Sequence, residues 1–265
     1  MATGIGGLEY EEEVLRAIKT NIKDTPYKIK PSTAGFSAAE VDLILLYKTH
    51  QIAVEIKMDK GAQMGGGSYN YDRSTGKFAL SAKTKIDSAI SAKLLKELDD
   101  RKKDLNTLLD FAAKQSPVSL GSNINGLPLK TTKAVWEEMT KKRLLVPLNA
   151  KIEVPTSFLY DHYKKKGCFY IQIGGQGLYY LHSNPLNLPV PQLKATMQIE
   201  LRLARAGSTM DSKLKVPVAT GNMRAQGRLN AKSLIKSPYS LDKPADFLTV
   251  FGNVSEADII ALSRK

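Results

Sequence analysis

The sequence predicts a mixed α/β fold, in which a central sheet is flanked by helices and followed by a β-rich extension. Two strand-like runs lie between residues 39 and 57, helical periodicity covers residues 8–23 and 81–115, and short alternating segments begin near residue 150. We therefore expect residues 1–149 to form a core with long helices. Residues 150–265 are expected to form a basic, β-rich extension that packs on this core as one unit.

The segment of residues 39–57 has the pattern of two strands joined by a short polar turn. Both faces are largely apolar, which is typical of strands covered on both sides, yet the segment carries acids and a lysine. If the chain turns about the bond between residues 48 and 49, Asp42 lies opposite Glu55, and Glu40 lies opposite Lys57. Directly opposed side chains have Cβ atoms about 4.5 to 5.5 Å apart, close enough for two carboxylates to bind one hard divalent cation.

Asp42, a gap of twelve residues and then Glu55-Ile56-Lys57 resemble the signature of the PD-(D/E)XK nuclease superfamily. This superfamily has the restriction-endonuclease-like fold and includes many restriction enzymes, archaeal-type Holliday-junction resolvases and phage exonucleases. The resemblance covers the first quarter to half of the chain, and Val41 stands where the family name has proline.

The resemblance implies a role for each residue of the motif. Asp42 and Glu55 would be the metal carboxylates, assisted by the Ile56 carbonyl, and Lys57 would be the catalytic lysine. The implied cofactor is Mg²⁺, with Mn²⁺ as a substitute. Glu40 is a reserve ligand because it shares a face with Asp42, although it could equally form an ion pair with Lys57.

The helix expected at residues 8–23 contributes a further candidate. Leu15, Ile18 and Ile22 recur at helical spacing, and Glu11 lies one turn before Leu15 on the same stripe. The resemblance implies that Glu11 completes the metal site. The alternative is that acids near a helix N-terminus simply favour the macrodipole, and this is the preferred explanation for the neighbouring Glu12 and Glu13, which we expect on the outer side.

Composition excludes several other classes. The 265 residues contain 42% hydrophobic residues, enough for a full core, and we find neither a transmembrane span nor a signal peptide. We therefore expect a soluble, non-secreted, cytoplasmic protein of a kind that a phage could encode. Cys168 is the single cysteine, which excludes an internal disulfide and a cysteine-based zinc site.

The net charge of +13 favours a polyanionic partner, and we expect that partner to be DNA. Glycines 65–67 are expected in a loop after Lys57 that approaches a ligand or simply bends. A solvated lysine-rich surface is the competing explanation for the basic residues. The candidate nucleic-acid contacts are Gln63, Ser68, Tyr69, Lys83, Arg202, Arg205, Arg224 and Arg228.

The remaining elements follow from local patterns. One or two amphipathic helices are expected at residues 81–115, and a helix at 131–143 should bury Val135, Trp136 and Met139. Strands or hairpins are expected at 151–154, 168–173, 178–181 and 195–203, followed by a flexible basic segment. Ser255 is a suitable N-cap for a C-terminal helix.

These observations together predict a Mg²⁺-dependent DNA nuclease, and more narrowly an endonuclease. A homodimer that cuts both strands is one possible arrangement, and the sequence leaves open whether subunits pair in this way. One alternative is a non-catalytic nucleic-acid-binding protein on the same fold, such as a virion or replication accessory. Others are a Holliday-junction resolvase, an exonuclease, or a basic structural protein in which Glu55 and Lys57 form a buried salt bridge.

Overall fold

The computed structural model describes residues 5–23, 25–30, 41–59, 61–81, 88–122 and 124–262. Over these ranges the protein is a mixed α/β structure with two sheets and eight α-helices. None of the described helices is both long and apolar enough to cross a lipid bilayer.

The chain forms two compact units that are interleaved in sequence. Unit 1 comprises residues 1–64, 154–197 and 228–265, and unit 2 comprises residues 65–153 and 198–227. The division expected from the sequence was instead sequential, with one boundary between residues 149 and 150. The difference arises because strands far apart in the chain pair with each other, which local sequence patterns do not reveal.

Unit 1 is built on a five-stranded mixed sheet in the order β1-β2-β3-β9-β10. The first three strands are antiparallel, β9 is parallel to β3, and β10 forms a hairpin with β9. The strands are β1 (Tyr27–Lys30), β2 (Leu43–Tyr47), β3 (His50–Lys57), β9 (Cys168–Ile173) and β10 (Gly177–Tyr180). The predicted strands at 168–173 and 178–181 are thus confirmed, and they extend the sheet that carries the motif.

The hairpin of β2 and β3 has the predicted register. Leu43 lies opposite Val54, and Tyr47 lies opposite His50, so Lys48 and Thr49 form a two-residue turn. Lys48 has a φ of 54°, the left-handed conformation that tight hairpin turns of this kind require.

One face of this sheet packs against three helices to form the core of unit 1. These are α1 (Ile5–Asn21), α7 (Pro244–Phe251) and α8 (Glu256–Leu262). Helix α1 buries Tyr10, Val14 and Ile18, which recur every three or four residues, as an amphipathic helix requires. Ala17, next to Ile18, is also buried. Ser255 caps α8 as predicted, because its Oγ accepts a hydrogen bond from the Asp258 N–H.

A buried polar network joins β9 to α1 and to the segment before α7. The Gln172 amide nitrogen donates to the Tyr10 hydroxyl at 3.0 Å and to Ser240 Oγ at 2.8 Å, while its oxygen accepts from the Leu241 N–H at 2.9 Å. Tyr10 in turn donates to Asp242 at 2.7 Å. The network holds α1 against the sheet and so fixes where the next residue, Glu11, lies.

The opposite side of the sheet is approached by α6 (Phe158–Lys165), a helix that the sequence patterns did not predict.

At the end of β9, the Gly174 N–H donates to the Lys57 carbonyl at 2.8 Å. A Cβ atom on Gly174 would collide with the Met58 carbonyl oxygen. Glycine at this position therefore allows the close approach that anchors the chain directly after the motif lysine.

Most of the second sheet lies in unit 2, with the main strand order β5-β4-β12-β11-β8. Two short strands lie outside this main order: β6 pairs with β4, and β7 pairs with β12. The strands are β4 (Gln63–Asp72), β5 (Lys77–Leu80), β6 (Gly126–Leu127), β7 (Leu129–Thr132), β8 (Ala150–Pro155), β11 (Thr196–Met210) and β12 (Pro217–Leu229).

Two expectations for this region are wrong. The glycines at 65–67 lie within β4 and not in a loop, and much of the expected flexible basic segment forms the long strands β11 and β12. The helices follow the predictions more closely, since Val135, Trp136 and Met139 are buried as expected. The helices of unit 2 are α2 (Ser88–Asp99), α3 (Lys102–Gln115), α4 (Val118–Gly121) and α5 (Lys133–Lys141).

Candidate functional site

The acids of the motif meet where β2 begins and β3 ends. Asp42 directly precedes β2, and the hairpin register places it level with Glu55. The Asp42 carboxylate accepts a hydrogen bond from the Ile56 N–H at 2.8 Å through Oδ2. The side chains of Asp42 and Glu55 are only 14% and 6% exposed. Glu40, the reserve ligand, lies outside the described residues.

Lys57 forms ion pairs with both acids. Its Nζ is 2.6 Å from Glu55 Oε1 and 3.6 Å from Asp42 Oδ2, and its side chain is 17% exposed. Burial lowers the pKa of Lys57, but the carboxylates of Glu55 and Asp42 outweigh burial and raise the pKa above its ordinary value. Lys57 is therefore a firmly protonated ammonium group within an acidic cluster.

Glu11 faces this cluster from α1. It is half-buried, whereas Glu12 and Glu13 are exposed as predicted. Because α1 begins at Ile5, Glu11 lies in the second turn, beyond the first turn where the macrodipole acts most strongly. Burial, followed by the negative charge of Asp42, raises the pKa of Glu11 to about 7, with Lys57 opposing the rise.

The negative charges of the cluster are not compensated fully. Burial and the charge of Glu55 raise the pKa of Asp42, against the opposing effects of Lys57 and of the Ile56 N–H. Within the described part of the chain, Glu55 Oε2 is buried and accepts no hydrogen bond. Buried carboxylate oxygens without partners are costly, so this arrangement favours the arrival of an additional positive charge.

A second lysine, which the sequence reasoning missed, also approaches Glu55. Lys166 follows α6, and its Nζ lies 4.0 Å from Glu55 Oε2, with a side chain that is 14% exposed. The ammonium group also lies 5.7 Å from the ring centre of Tyr163. No motif marks this residue. The only signal is a run of three lysines at 164–166 before a strand, which usually indicates a solvated helix end.

The donor set of this cluster fits a hard divalent cation. Glu11, Asp42 and Glu55 supply carboxylate oxygens, which Mg²⁺ and Mn²⁺ prefer, and one of those oxygens is buried and accepts no hydrogen bond from a described residue. Across the described ranges, no three histidine, cysteine, aspartate or glutamate side chains already converge as a preformed metal centre.

The residues predicted to contact nucleic acid do not form one group. Gln63 is exposed at the start of β4, Ser68 is half-buried within the strand, and Lys83 lies outside the described residues. Tyr69 is fully buried, which corrects the prediction that it contacts nucleic acid. Tyr71, two residues further along β4, is also buried and lies against Phe78 with ring centres 4.6 Å apart.

The four arginines lie on the two long strands. Arg202 and Arg205 are exposed on β11, and Arg202 donates to the Gln226 side chain of β12 at 2.8 Å. Arg224 is half-buried on β12. Arg228, at the end of β12, donates a hydrogen bond to the Gly61 carbonyl, four residues beyond Lys57.

Comparison with protein-family models, with curated protein sequences and with solved structures returns no match. The candidate site is therefore defined by the arrangement of the chain's own residues.

Proposed function

We propose that the protein is a Mg²⁺-dependent deoxyribonuclease, and more narrowly an endonuclease, that hydrolyses phosphodiester bonds in DNA. The observation that carries this proposal is the cluster of the carboxylates of Asp42, Glu55 and Glu11 with the ammonium group of Lys57. The fold is compatible with it, since a mixed sheet flanked by helices is what the resemblance to the PD-(D/E)XK superfamily implies.

The chemistry follows from the charge of the substrate. A phosphodiester is anionic and repels hydroxide, and a bound divalent cation would polarise the phosphoryl oxygen and lower the pKa of the attacking water. Asp42 and Glu55 would hold the cation, with Glu11 and the Ile56 carbonyl as further ligands. Lys57, on the same strand face as Glu55, would orient the water and offset negative charge that develops on the phosphate.

The charge of the chain supports DNA as the substrate. The net charge of +13 is concentrated in unit 2, which contains 21 of the 39 lysine and arginine residues but only 12 of the 26 aspartate and glutamate residues. Arg202 and Arg205 are exposed there, where they can contact phosphates without regard to sequence.

The alternative of a purely structural ion pair has one observation in its favour, the 2.6 Å contact between Lys57 and Glu55. Two other features argue against it. A structural pair would satisfy both oxygens of the buried carboxylate, whereas Glu55 Oε2 accepts no hydrogen bond from a described residue. A structural pair also has no need of Asp42 and Glu11, whose negative charges make the cluster less stable.

A nicking assay on supercoiled plasmid DNA tests the proposal. We expect cleavage in Mg²⁺ or Mn²⁺ and none in EDTA. Asp42→Ala, Glu55→Ala and Lys57→Ala should each lower the cleavage rate at least about a hundredfold while DNA binding persists. Glu11→Ala should lower the rate less, and the matched control Glu12→Ala, on the exposed side of the same helix, should cleave like the wild type.

The substrates distinguish the remaining alternatives. Nicking of closed circular DNA indicates an endonuclease, whereas cleavage confined to linear ends or to branched DNA indicates an exonuclease or a resolvase. A wild-type protein that binds DNA but cleaves none of these substrates, with either metal, would refute the nuclease proposal. That result would leave the non-catalytic DNA-binding alternative.

A further inference from the structure

Lys166 is a half-buried cation to which the mechanism above assigns no role. It follows the last residue of α6, where a positive charge is favoured by the helix dipole, and it directly precedes the turn into β9. Its ammonium group lies 4.0 Å from Glu55 Oε2, beyond hydrogen-bonding distance. The described residues give this ammonium group, which has three N–H donors, an ion pair with Glu55 and a contact with the Tyr163 ring, and neither of these is a hydrogen bond.

The cluster around Glu55 therefore contains both a hydrogen-bond donor and a hydrogen-bond acceptor that do not bond to each other. Glu55 Oε2 is a buried acceptor without a hydrogen bond, and Lys166 Nζ is a nearby donor that does not reach it. Lys57 differs, because it contacts Glu55 Oε1 at 2.6 Å. Three carboxylates and two ammonium groups face each other here, which leaves the cluster with less positive than negative charge when all are ionised.

We propose that Lys166 is a phosphate-binding residue that yields its place beside Glu55 to the divalent cation and then contacts a non-bridging oxygen of the scissile phosphate. This inference rests on the nuclease function proposed above. An ammonium group that lies beside a metal carboxylate, with its donors unused, is suited to bind an anion that arrives together with the metal. Tyr163 limits its movement, since the ammonium group lies over the tyrosine ring.

The proposal predicts opposite effects of one substitution on two measurements. Without substrate, Lys166 competes with the cation for Glu55, so Lys166→Met should tighten Mn²⁺ binding roughly threefold or more. With substrate, the same variant lacks a charged hydrogen bond to the phosphate, so kcat/KM for cleavage should fall about tenfold to a hundredfold. A residue with only a structural role would not raise metal affinity when it is removed.

The experiment compares the wild type, Lys166→Met, Lys166→Arg and the control Lys164→Met, whose exposed side chain lies on α6. Mn²⁺ affinity is measured by electron paramagnetic resonance of free Mn²⁺, and cleavage is measured at saturating Mn²⁺. Thermal melts in EDTA confirm that each variant is folded. Lys166→Arg, which keeps the charge, should retain more activity than Lys166→Met, and Lys164→Met should match the wild type in both measurements.

Two results would overturn the role of Lys166 while leaving the nuclease proposal intact. One is a wild type that cleaves DNA together with a Lys166→Met variant that cleaves equally well. The other is a Lys166→Met variant in which metal affinity and cleavage fall together, as loss of local structure would cause. A wild type that binds Mn²⁺ but cleaves no DNA would instead refute the nuclease proposal, and the phosphate role of Lys166 would fail with it.

Discussion

The two units hold their charged side chains in different ways. In unit 2, ion pairs such as Arg73–Asp110 and Lys142–Glu138 are partly or largely exposed to solvent. In unit 1, the pair Lys48–Glu256 is exposed in the same way, but the three pairs formed by Lys57 and Lys166 with Asp42 and Glu55 have side chains no more than 17% exposed. Exposed pairs contribute little to stability and indicate no function, whereas buried, incompletely paired charges are costly to maintain. The contrast separates ordinary exposed ion pairs from a buried cluster of charges around Glu55.

The largest effect on stability should come from removing the Lys57 ammonium group, which the acids surround. We expect Lys57→Met to lower the free energy of unfolding by about 3 kcal/mol in EDTA at pH 8, because three carboxylates then lose their closest positive charge. Urea denaturation measures this change. In unit 2, Lys142→Met should cost less than about 1 kcal/mol. Equal losses in the two variants would mean that the buried cluster carries no special electrostatic cost.

The same variant should respond to metal. Added Mn²⁺ should restore part of the stability that Lys57→Met loses, because the cation binds the folded state and replaces the missing charge. The Lys142→Met variant should gain no more from Mn²⁺ than the wild type does. A Lys57→Met protein that is insensitive to Mn²⁺ would contradict the assignment of these carboxylates as metal ligands.

The next largest effect concerns the buried network of Gln172. Gln172→Leu removes the hydrogen bond donated to the Tyr10 hydroxyl and the acceptor of the Leu241 N–H, so we expect a loss of about 2 kcal/mol in the free energy of unfolding. Because Tyr10 adjoins Glu11, the variant should also weaken Mn²⁺ binding.

The matching position in unit 2 is Thr131, whose hydroxyl forms a buried 2.7 Å hydrogen bond with Ser116. Thr131→Val should cost about 1 kcal/mol and leave Mn²⁺ binding unchanged. A Gln172→Leu protein with unaltered metal affinity would show that the network does not position α1 for the site.

A smaller effect should appear in the pH dependence of stability. The pKa of Glu11 is raised from 4.5 to about 7, so the folded protein holds this proton more tightly than the unfolded chain does. Its contribution to stability is complete below about pH 4.5 and is lost as the pH rises through about 7. In EDTA, the melting temperature of Glu11→Gln relative to the wild type should therefore rise between pH 4 and pH 8.

The exposed Glu137 of unit 2 provides the control. Glu137→Gln should change the melting temperature by only a small amount, because its side chain is 61% exposed. If Glu11→Gln shows no pH-dependent gain over the wild type, Glu11 does not share the electrostatic environment of Asp42.

The smallest effect should be on non-specific DNA affinity. Arg205→Ala, on the exposed part of β11, should reduce the slope of log affinity against log salt concentration by about one, as loss of a single phosphate contact would. Fluorescence anisotropy in Ca²⁺ measures it without relying on cleavage. Lys19→Ala, on the exposed side of α1, should leave the slope unchanged. If Lys19→Ala reduced the slope and Arg205→Ala did not, the DNA-binding surface would lie on unit 1 and not on unit 2.

Local patterns predicted the part of the site that depends on neighbouring residues. The β2–β3 register follows from the alternation of apolar residues and from a two-residue turn, so the proximity of Asp42 and Glu55 could be derived from the sequence. The inward direction of Glu11 followed from helical spacing. The helices α2, α3 and α5 were also predictable, since their apolar stripes are long and regular.

Elements that depend on distant partners were missed. Strand β12 buries small residues such as Ala219, Gly221 and Ala225, which provide no hydrophobic alternation that a sequence pattern could detect. Strand β4 contains three glycines and was therefore assigned to a loop. Lys166 lies near Glu55 only because β9 pairs with β3, and that pairing joins segments separated by more than a hundred residues.

The pairing of β3 with β9 has a consequence for the order of events during protein synthesis. A ribosome that has made residues up to 153 has produced the hairpin with its acids and all of the intervening unit 2 segment, but neither the strand that adjoins β3 nor Lys166. Helix α7, which covers α1, emerges later still. Nascent chains and fragments that stop before β9 therefore lack a complete sheet around the acids, and the proposed metal binding should arise only after β9, Lys166 and α7 have been synthesised.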